Sequence, residues 1–519
     1  MTLATPGAGA TASPEPSGAA PSRRTPEGRM SVAVRRGLLA LVALLVAEAA
    51  WILAVPPFRG SDEVDHTYRA AGVARGEWHL TQGAAHGRGT LVWVPTDIVL
   101  AAQGQCLSLQ YMGHDNCHAV ATRDGESQVA TAAGAYDPFF YWVVGTAARP
   151  FHGAAADYAM RIATALICSC LMALAIGVLS VAGTGLWASL GTVAALMPEA
   201  FFSGAIPAPN GPELALAFLL WASLLAVVRE GDVRRRGRLL SLAFAAGTPL
   251  MFVRLLGPLW VVAIVLTVVA FGGLGTTRRI VAAHRRVVTL GVIAVGLGAV
   301  WWEAWQRIAA HATPGAPDKD VVRWVLAFNL PVFTMQMVGA FPYRDIPAPL
   351  GVYPLAFFVI CLMFFAAWRK GAPTRARRTL LWVGVASLVI PIVISLVFMP
   401  SAGAVWQGRY EQPFVIGILP LCGLMLDDAG FAPREGRRLV GLGAVFLLVA
   451  QVACVYHLEQ DELRRAVSAG DSSWVHPPAV VTALLMAVGW VVVCLLLPLR
   501  RPAREAIPEP GAVGLELST

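Results

Sequence analysis

Long apolar runs, separated by short arginine-rich connections, recur along most of this 519-residue chain. An apolar run of about 20 residues is the length that an α-helix needs to cross a bilayer. With 56% hydrophobic residues, the chain is also too apolar for an ordinary soluble protein. The pattern therefore predicts an all-α polytopic membrane protein.

About twelve transmembrane helices are predicted. The first is Gly37–Val55, and eleven more are expected near 158–181, 186–203, 212–228, 239–254, 257–273, 287–306, 349–367, 379–399, 412–427, 439–457 and 479–498. This arrangement puts the arginine clusters on one side of the membrane: Arg229–Arg238, Arg278–Arg286, Arg369–Arg378, Arg434–Arg438 and Arg500–Arg504. Cytoplasmic loops carry an excess of Lys and Arg, so both termini are predicted to be cytoplasmic in a multi-pass cell-membrane protein.

The first run also admits a second interpretation, because Ala47-Glu48-Ala49 resembles the cleavage box of a signal peptide. Either interpretation leaves residues 56–157 outside as a large first extracytoplasmic loop. Residues 1–29 are predicted to be a disordered cytoplasmic tail, 30–504 the transmembrane domain, and 505–519 a second cytoplasmic tail.

The composition excludes two other classes of protein. The formal net charge of +8 comes from clusters between apolar runs, without a basic stripe interleaved with aromatics, so we expect no nucleic-acid binding. No Walker-type phosphate loop is present, which argues against a nucleotide-driven pump.

Charged side chains concentrate directly after the first apolar run. Asp62, Glu63, His66 and Arg69 lie within eight positions of a chain in which only 14% of residues are charged. In a helix, the i and i+4 spacing would put Asp62 and His66 on one face. A carboxylate there can accept a proton from a hydroxyl group or hold a divalent cation. We predict Asp62 as catalytic base or metal ligand, Glu63 as its alternate, His66 as an orienting group and Arg69 as substrate-binding.

Further polar candidates lie at the same predicted face of the membrane. Asn210 lies in a proline-rich turn at the start of a helix, where free backbone N–H groups favour an anion. Arg254 lies in an apolar stretch, which marks either a functional partner or a snorkelling side chain. Gln407-Gly408-Arg409-Tyr410 combines a phosphate-binding guanidinium with a glycine that permits close backbone approach.

An aromatic segment closes the first loop. It reads Tyr136-Asp137-Pro138-Phe139-Phe140-Tyr141-Trp142. Because aromatic rings favour the level of the lipid headgroups, we expect these rings to anchor the protein at the membrane interface.

The two cysteines of the polar first loop, Cys106 and Cys117, have two interpretations. In an oxidising exterior they would form a disulfide. With His114 and His118 nearby, a metal site is the alternative, although the spacing fits no standard zinc pattern.

Four segments occur in an order that carries a family resemblance: Ser61–His66, Tyr136–Tyr141, Pro198–Gly211 and Gln407–Tyr410. Over residues 35–500 or so, the chain resembles a bacterial polytopic membrane family of unknown function that is grouped with the GT-C glycosyltransferases. It departs from that family's pattern in three places. Ser61 and Val64 replace prolines beside the acid pair, Asn210 stands where Asp is common, and Arg254 stands where Lys is frequent.

The resemblance implies a GT-C-like architecture, an acidic residue in the first exterior loop and a polyprenyl-phosphate sugar donor. The hypothesis is therefore a glycosyltransferase that acts on a cell-envelope glycan or lipid acceptor at the extracytoplasmic face, in contact with membrane lipid. Asp62 would activate the acceptor hydroxyl, and Arg409 and Arg254 would stabilise the departing lipid phosphate. The alternatives are a transporter or flippase of lipid-linked glycans and a non-catalytic membrane scaffold.

Overall fold

The computed structural model describes residues 26–109, 111–181, 185–309, 330–370, 374–402, 406–431, 433–469 and 474–496. In chain order its helices are α1 (Pro26–Ala54), α2 (Glu63–Val73), α3 (Thr96–Ser108), α4 (His114–Cys117), α5 (Pro138–Ala148), α6 (Gly153–Val181), α7 (Leu186–Ala195), α8 (Pro198–Gly204), α9 (Asn210–Arg229), α10 (Val233–Val253), α11 (Gly257–Gly272), α12 (Leu274–Ala283), α13 (Arg285–Ile308), α14 (Leu330–Val338), α15 (Val352–Lys370), α16 (Thr374–Ala402), α17 (Gln412–Val415), α18 (Ile418–Asp428), α19 (Pro433–Ala469) and α20 (Ala479–Leu496). The strands are β1 (Thr90–Pro95), β2 (Ala121–Arg123), β3 (Glu126–Thr131), β4 (Ala340–Phe341) and β5 (Ile346–Pro347). The predicted tails lie outside the described residues, except for 26–29, which belong to α1.

Eight helices of the described part are long and apolar enough to cross a membrane. They are Val34–Ala54, Gly153–Ser180, Asn210–Arg229, Arg285–Ile308, Val352–Lys370, Thr374–Val397, Arg438–Arg465 and Ala479–Leu496. Two bent pairs raise the number to ten: α7 with α8, which meet at 55°, and α11 with α12, which meet at 106°. The prediction of a helical, multi-pass membrane protein is confirmed.

The two remaining predicted spans are helical but short of a full crossing. α10 covers 239–254 but has four arginines among its first six residues, and its apolar part begins only at Leu239. The span at 412–427 is divided between α17 and α18, of 4 and 11 residues. Each apolar helix is thus shorter than the roughly 20 residues that a crossing needs.

α1 is an integral member of the helix bundle. It packs between α6 and α20, and its Trp51 is fully buried. The approach of α20 requires Gly489, since a Cβ atom there would lie 2.5 Å from the carbonyl oxygen of Ala43. This packing favours the membrane-span interpretation of the first apolar run over a leader peptide.

Residues 56–157 form a small lobe with a hydrophobic core of its own. The antiparallel sheet has the strand order β1-β3-β2, with Val92 opposite Val129. Both valines are buried, and they belong to the same core as Val64 of α2 and Tyr141 of α5. The sheet is an addition to the predicted all-α class, and it supports α2 from one side.

The lobe covers one end of the bundle, called here the large-loop end. The side-chain oxygen of Ser61 donates a hydrogen bond to the carbonyl of Pro342, beside β4. Trp301, near the end of α13, donates from its indole nitrogen to Asp137 at 2.5 Å. These contacts bring the loop at 339–351 and the end of α13 to the lobe.

Arginine clusters lie at the other end of the bundle. Arg229, at the end of α9, pairs with Asp428 at 2.7 Å, and Arg375, at the start of α16, donates to the carbonyl of Phe271 at 2.9 Å. The arginine clusters within the described ranges and the large loop are therefore on opposite sides, as the charge pattern requires. Which side is cytoplasmic remains a prediction.

Candidate active site at the large-loop end

Asp62 lies between the end of α1 and the start of α2, in a left-handed backbone conformation with φ of 55°. About a third (34%) of its side chain is exposed, whereas the Glu63 and His66 side chains next to it are buried. The Nη2 atom of Arg409 lies 2.8 Å from Oδ2 of Asp62. Burial raises the pKa of Asp62, but the charges of Arg409 and other neighbours outweigh this effect and hold the pKa below its usual range. Asp62 is thus an ionised, accessible carboxylate at neutral pH.

Arg409 is positioned by the 3₁₀ turn Gly408–Tyr410. A Cβ atom at Gly408 would lie 2.1 Å from the carbonyl oxygen of Phe333, so only glycine allows this turn to approach α14. The backbone nitrogen of Gly408 donates to the side chain of Gln336 at 3.0 Å. The Nε atom of Arg409 is buried and has no acceptor among the described residues, which leaves a donor available for an anion.

Arg254, at the end of α10, forms the second cationic group of the site. Its Nη1 atom lies 2.9 Å from Oε2 of Glu213, in the first turn of α9. Its Cζ atom lies 4.5 Å from the ring centre of Tyr410, and that of Arg409 lies 5.5 Å from the same ring. Tyr410 thus contacts both guanidinium groups. Within the described part of the chain, the buried Nε of Arg254 also finds no acceptor.

His66 belongs to an aromatic cluster near Asp62. Its Nδ1 atom lies 2.7 Å from the hydroxyl of Tyr141, and its ring centre is 5.5 Å from that of Tyr136. Burial lowers the pKa of His66 to about 3, so the ring is neutral. Tyr136 also lies 5.9 Å from the Cζ atom of Arg254, which connects this cluster to the cations.

Glu63 and Arg69 have structural partners. Glu63 is fully buried, and its oxygens lie 2.7 Å and 2.6 Å from the guanidinium of Arg161 in α6. Arg69 donates to the carbonyl oxygens of Glu77 and Trp78 at 2.9 Å and 2.7 Å. These partners hold both side chains away from the exposed carboxylate of Asp62.

Asn210 and Gln407 border the site without a contact to Asp62. Asn210 is the first residue of α9 and is buried, one turn before Glu213. Gln407 directly precedes the 3₁₀ turn, and its buried Oε1 atom has no donor among the described residues.

The cysteines of the lobe form a disulfide. Cys106 and Cys117 are joined, with their Cα atoms 5.4 Å apart, which ties α3 to α4. His114 and His118 stack at 4.4 Å beside it. The residues that the structure describes contain no group of three or more His, Cys, Asp or Glu side chains that could hold a metal ion.

Tyr136 is a site residue that sequence reasoning missed. We expected its segment to be an interfacial anchor, and Asp137 does cap α5 by accepting from the backbone of Phe139 at 3.0 Å. The ring of Tyr136, in contrast, lies between His66 and Arg254. The segment therefore contributes to the site as well, a role that the aromatic composition alone did not signal.

Comparison with known proteins gives one family match. The model of the family described as "Predicted membrane protein (DUF2142)" matches residues 45–418. No curated protein matches the sequence.

Solved structures align at low similarity, among them two crystal structures of one protein. The crystal structure of ArnT from Cupriavidus metallidurans bound to undecaprenyl phosphate has a TM-score of 0.43 and 16% identity, and the alignment covers 88% of this chain and 76% of that one. The apo structure of ArnT from the same organism gives a TM-score of 0.40 and 15% identity over the same shares.

Proposed function

The chain belongs to the DUF2142 family of predicted membrane proteins, and we propose that it is a glycosyltransferase of the extracytoplasmic face of the cell membrane. The donor would be a sugar linked to a polyprenyl phosphate, and the acceptor a hydroxyl group of an envelope glycan or lipid. The resemblance to GT-C glycosyltransferases implies this reaction, and the proposal assigns it to specific residues.

One observation carries the proposal. An accessible carboxylate, Asp62, lies 2.8 Å from a buried guanidinium, Arg409, and a second guanidinium, Arg254, contacts the same Tyr410 ring as Arg409 does. A glycosyl transfer from a lipid phosphate needs these two kinds of group side by side, namely a base for the acceptor and cations for the leaving phosphate.

The proposed transfer uses Asp62 and the two arginines. Asp62 accepts the proton of the acceptor hydroxyl while the hydroxyl oxygen forms a bond to the anomeric carbon. The bond between that carbon and the phosphate oxygen breaks, and the lipid phosphate leaves with the electron pair. Arg409 and Arg254 stabilise the resulting charge through their guanidinium N–H groups. A phosphate is already a good leaving group, so the step requires no strong general acid.

Binding of the donor would also increase the basicity of Asp62. Before the donor binds, Arg409 is engaged by Asp62 and keeps the pKa of this carboxylate low. A low pKa makes a weak proton acceptor. A phosphate that takes over hydrogen bonds of Arg409 would weaken this pairing and raise the basicity of Asp62 at the moment of transfer.

The other candidate residues have supporting roles. His66, held by Tyr141, and Gln407 would border the reacting groups, and Asn210 would fix the first turn of α9, which positions Arg254 through Glu213. We assign Glu63 and Arg69 to the support of the site, because their side chains are already engaged by Arg161 and by backbone carbonyls. A divalent cation held by Asp62 is the other chemistry that this carboxylate could perform.

A flippase of lipid-linked glycans is the competing function. The bend of 55° between α7 and α8 favours it, since broken helices at the midplane are typical of transporters. A flippase moves the lipid without forming a new glycosidic bond. The covalent product therefore distinguishes the two functions.

The test is reconstitution into liposomes with a panel of radiolabelled polyprenyl-phosphate sugars and an envelope extract as acceptor source. We expect labelled glycan and free polyprenyl phosphate from the wild type, and strongly reduced product from Asp62→Asn and Arg409→Ala. An arm with EDTA tests the need for a divalent cation. Transfer that both substitutions leave unchanged would eliminate the assigned site, and transbilayer movement without transfer would establish the flippase.

A further inference from the structure

Strained backbone conformations concentrate around Asp62. Four non-glycine residues of the described chain have positive φ: Phe58 (62°), Asp62 (55°), Asp124 (33°) and Arg344 (69°). Phe58 lies four residues before Asp62, and its carbonyl accepts from the hydroxyl of Tyr343, the chain neighbour of Arg344, at 3.1 Å. Such conformations cost energy and cluster where a particular side-chain direction is needed.

The turn that carries Arg344 is held from both sides. Asp345 lies 2.5 Å from Arg59 and 2.7 Å from Arg465, and it accepts from the backbone nitrogen of Tyr343 at 3.2 Å. The Arg344 side chain is exposed, and the described residues offer it neither a hydrogen bond nor an ion pair. Its charge nevertheless acts on Asp62, as one of the groups that lower the pKa of that carboxylate. The turn thus presents a free cation to the mouth of the site.

A second free cation, Arg88, is presented by the disulfide-closed loop. Buried Asn116, next to Cys117, accepts from the backbone nitrogen of Arg88 at 2.8 Å and donates to its carbonyl at 3.2 Å. The exposed guanidinium of Arg88 lies 5.0 Å from the ring centre of Tyr111, inside the same loop. Its guanidinium has no carboxylate partner in the described ranges.

Two tyrosine rings meet beside these cations: Arg88 lies over the ring of Tyr111, and Tyr343 directly precedes Arg344 in the chain and carries Arg59 over its ring at 5.0 Å. The rings of Tyr111 and Tyr343 meet at 5.9 Å, edge to face. Burial raises the pKa of Tyr111, and the charges of Asp62 and Asp65 raise it further. We call Arg88, Tyr111, Tyr343 and Arg344 the outer site.

The outer site differs from the buried arginine pair in its access. Arg409, which contacts Asp62, is buried, and only 9% of the Arg254 side chain is exposed, whereas Arg88 and Arg344 are exposed. A ligand of the outer arginines therefore comes from the aqueous side. Free guanidinium groups select carboxylate or phosphate, and aromatic rings pack against the apolar face of a sugar.

We infer that the outer site binds the acceptor, and that this acceptor is an anionic glycan. The inference rests on the proposed glycosyl transfer, and it adds the substrate class to it. Asp62 contacts Arg409, and the charge of Arg344 acts on it, so an acceptor held at the outer site presents its hydroxyl to the base while the donor phosphate binds Arg409 and Arg254.

The test is a binding measurement on full-length protein in neutral phosphatidylcholine nanodiscs. Isothermal titration calorimetry compares an oligogalacturonate, a phosphorylated maltooligosaccharide and a neutral maltooligosaccharide of equal length. We expect at least one anionic oligosaccharide to bind about tenfold more tightly than the neutral one, with an affinity that falls as salt is added. Discs that contain phosphatidylglycerol show whether an anionic lipid headgroup competes.

The variants Arg88→Gln and Arg344→Asn remove the two cations, and Asn tolerates the left-handed backbone at position 344. Each variant should weaken the binding of the anionic oligosaccharide by about 3- to 10-fold. Arg149→Gln, an exposed arginine after α5, is the matched control and should change nothing. Thermal unfolding of each variant checks that it is folded.

Binding of polyprenyl phosphate, measured in the same nanodiscs, distinguishes this inference from the proposed function. Arg88→Gln and Arg344→Asn should leave the binding of polyprenyl phosphate unchanged, and Arg409→Gln should weaken it. Equal affinity for charged and neutral oligosaccharides, equal losses in Arg149→Gln and Arg344→Asn, or displacement of the oligosaccharide by phosphatidylglycerol would overturn the outer site as an acceptor site. Failure of polyprenyl phosphate to bind at all would instead refute the donor assignment and leave a glycan-binding surface.

Discussion

The Nη2 atom of Arg409 lies 2.8 Å from Oδ2 of Asp62, although 347 residues separate them in the chain. The guanidinium is almost completely buried, with 6% of its side chain exposed, while the carboxylate is 34% exposed. Across the described part of the structure, Oδ1 of Asp62 accepts no hydrogen bond. One oxygen is therefore held by the cation, and the other is free to accept a proton from outside.

Asp62→Asn tests the base. We expect the rate of transfer to fall by about 10²- to 10⁴-fold, the range typical of a general base, while the binding of polyprenyl phosphate changes little, because an amide oxygen can still accept from Arg409. Asp124→Asn is the matched control, since Asp124 is exposed and also has a positive φ. Rates that remain within about twofold of the wild type in Asp62→Asn, measured by initial velocity, would exclude this role.

Arg409→Lys tests the phosphate site. Lysine keeps the charge but loses the planar, bidentate donor geometry, so we expect the Kd for polyprenyl phosphate to rise by about 10- to 100-fold. Arg229→Lys is a suitable control, because Arg229 pairs with Asp428 at 2.7 Å at the opposite end of the bundle. The measurement is a titration in nanodiscs, and an unchanged Kd in Arg409→Lys would contradict the assignment.

Because the carboxyl group of Asp65 is buried, we expect the stability of the protein to depend on pH. Oδ1 of Asp65 accepts from the backbone nitrogen of Ala132 at 2.6 Å, Oδ2 is buried with no donor in the described ranges, and burial raises the pKa to about 7. A folded-state pKa above the unfolded value gives stability that is complete at low pH and lost as pH rises through about 7. We expect the unfolding free energy to fall by roughly 2–4 kcal/mol between pH 5 and pH 8.

The variant Asp65→Asn should flatten this profile, because an amide keeps the acceptor for Ala132 and cannot ionise. Thermal unfolding in detergent from pH 5 to pH 8 provides the measurement, with Asp124→Asn as the exposed control. A wild-type profile that rises over this range would show that Asp65 is not the dominant group.

Glu63→Gln tests whether the second acid is structural. Both Glu63 and Arg161 are fully buried, so the loss of one charge should cost about 3–5 kcal/mol of stability. Combining Glu63→Gln with Arg161→Met should cost less than the sum of the single changes, although Asp157 also lies 3.2 Å from Arg161. The half-life at elevated temperature reports stability, and transfer per folded molecule should be retained. A folded Glu63→Gln without activity would instead make Glu63 the catalytic carboxylate.

The disulfide should stabilise the lobe. Cys106 and Cys117 enclose a short loop, so the double replacement by serine should cost about 2–3 kcal/mol and expose the loop to proteases. The control is Cys170→Ser, an exposed free cysteine of α6. Limited proteolysis followed by mass spectrometry locates the cuts, and equal cleavage with and without the disulfide would contradict the expectation.

Local composition predicted most of the helices but few of the contacts between them. An apolar run of sufficient length can satisfy its backbone hydrogen bonds only within itself in a bilayer, so hydropathy predicts where α1, α6 and α20 lie. The strand pairs β1–β3 and β4–β5 were missed, because short strands are defined by a partner that is distant in sequence. Arg88 and Arg344 were missed for the same reason, since only folding brings them to Tyr111 and Asp62.

Asp62 and Glu63 mark the limit of what the sequence determines. The sequence alone determined that two acids follow the first membrane helix, and it predicted Arg254 and Arg409 at the same face of the membrane. Adjacent residues point in different directions along a helix start, and nothing local decides which one is covered. The tertiary structure decided it, because α6 brings Arg161 onto Glu63 and buries that pair, while the Gly408–Tyr410 turn brings Arg409 to Asp62 and leaves the carboxylate open.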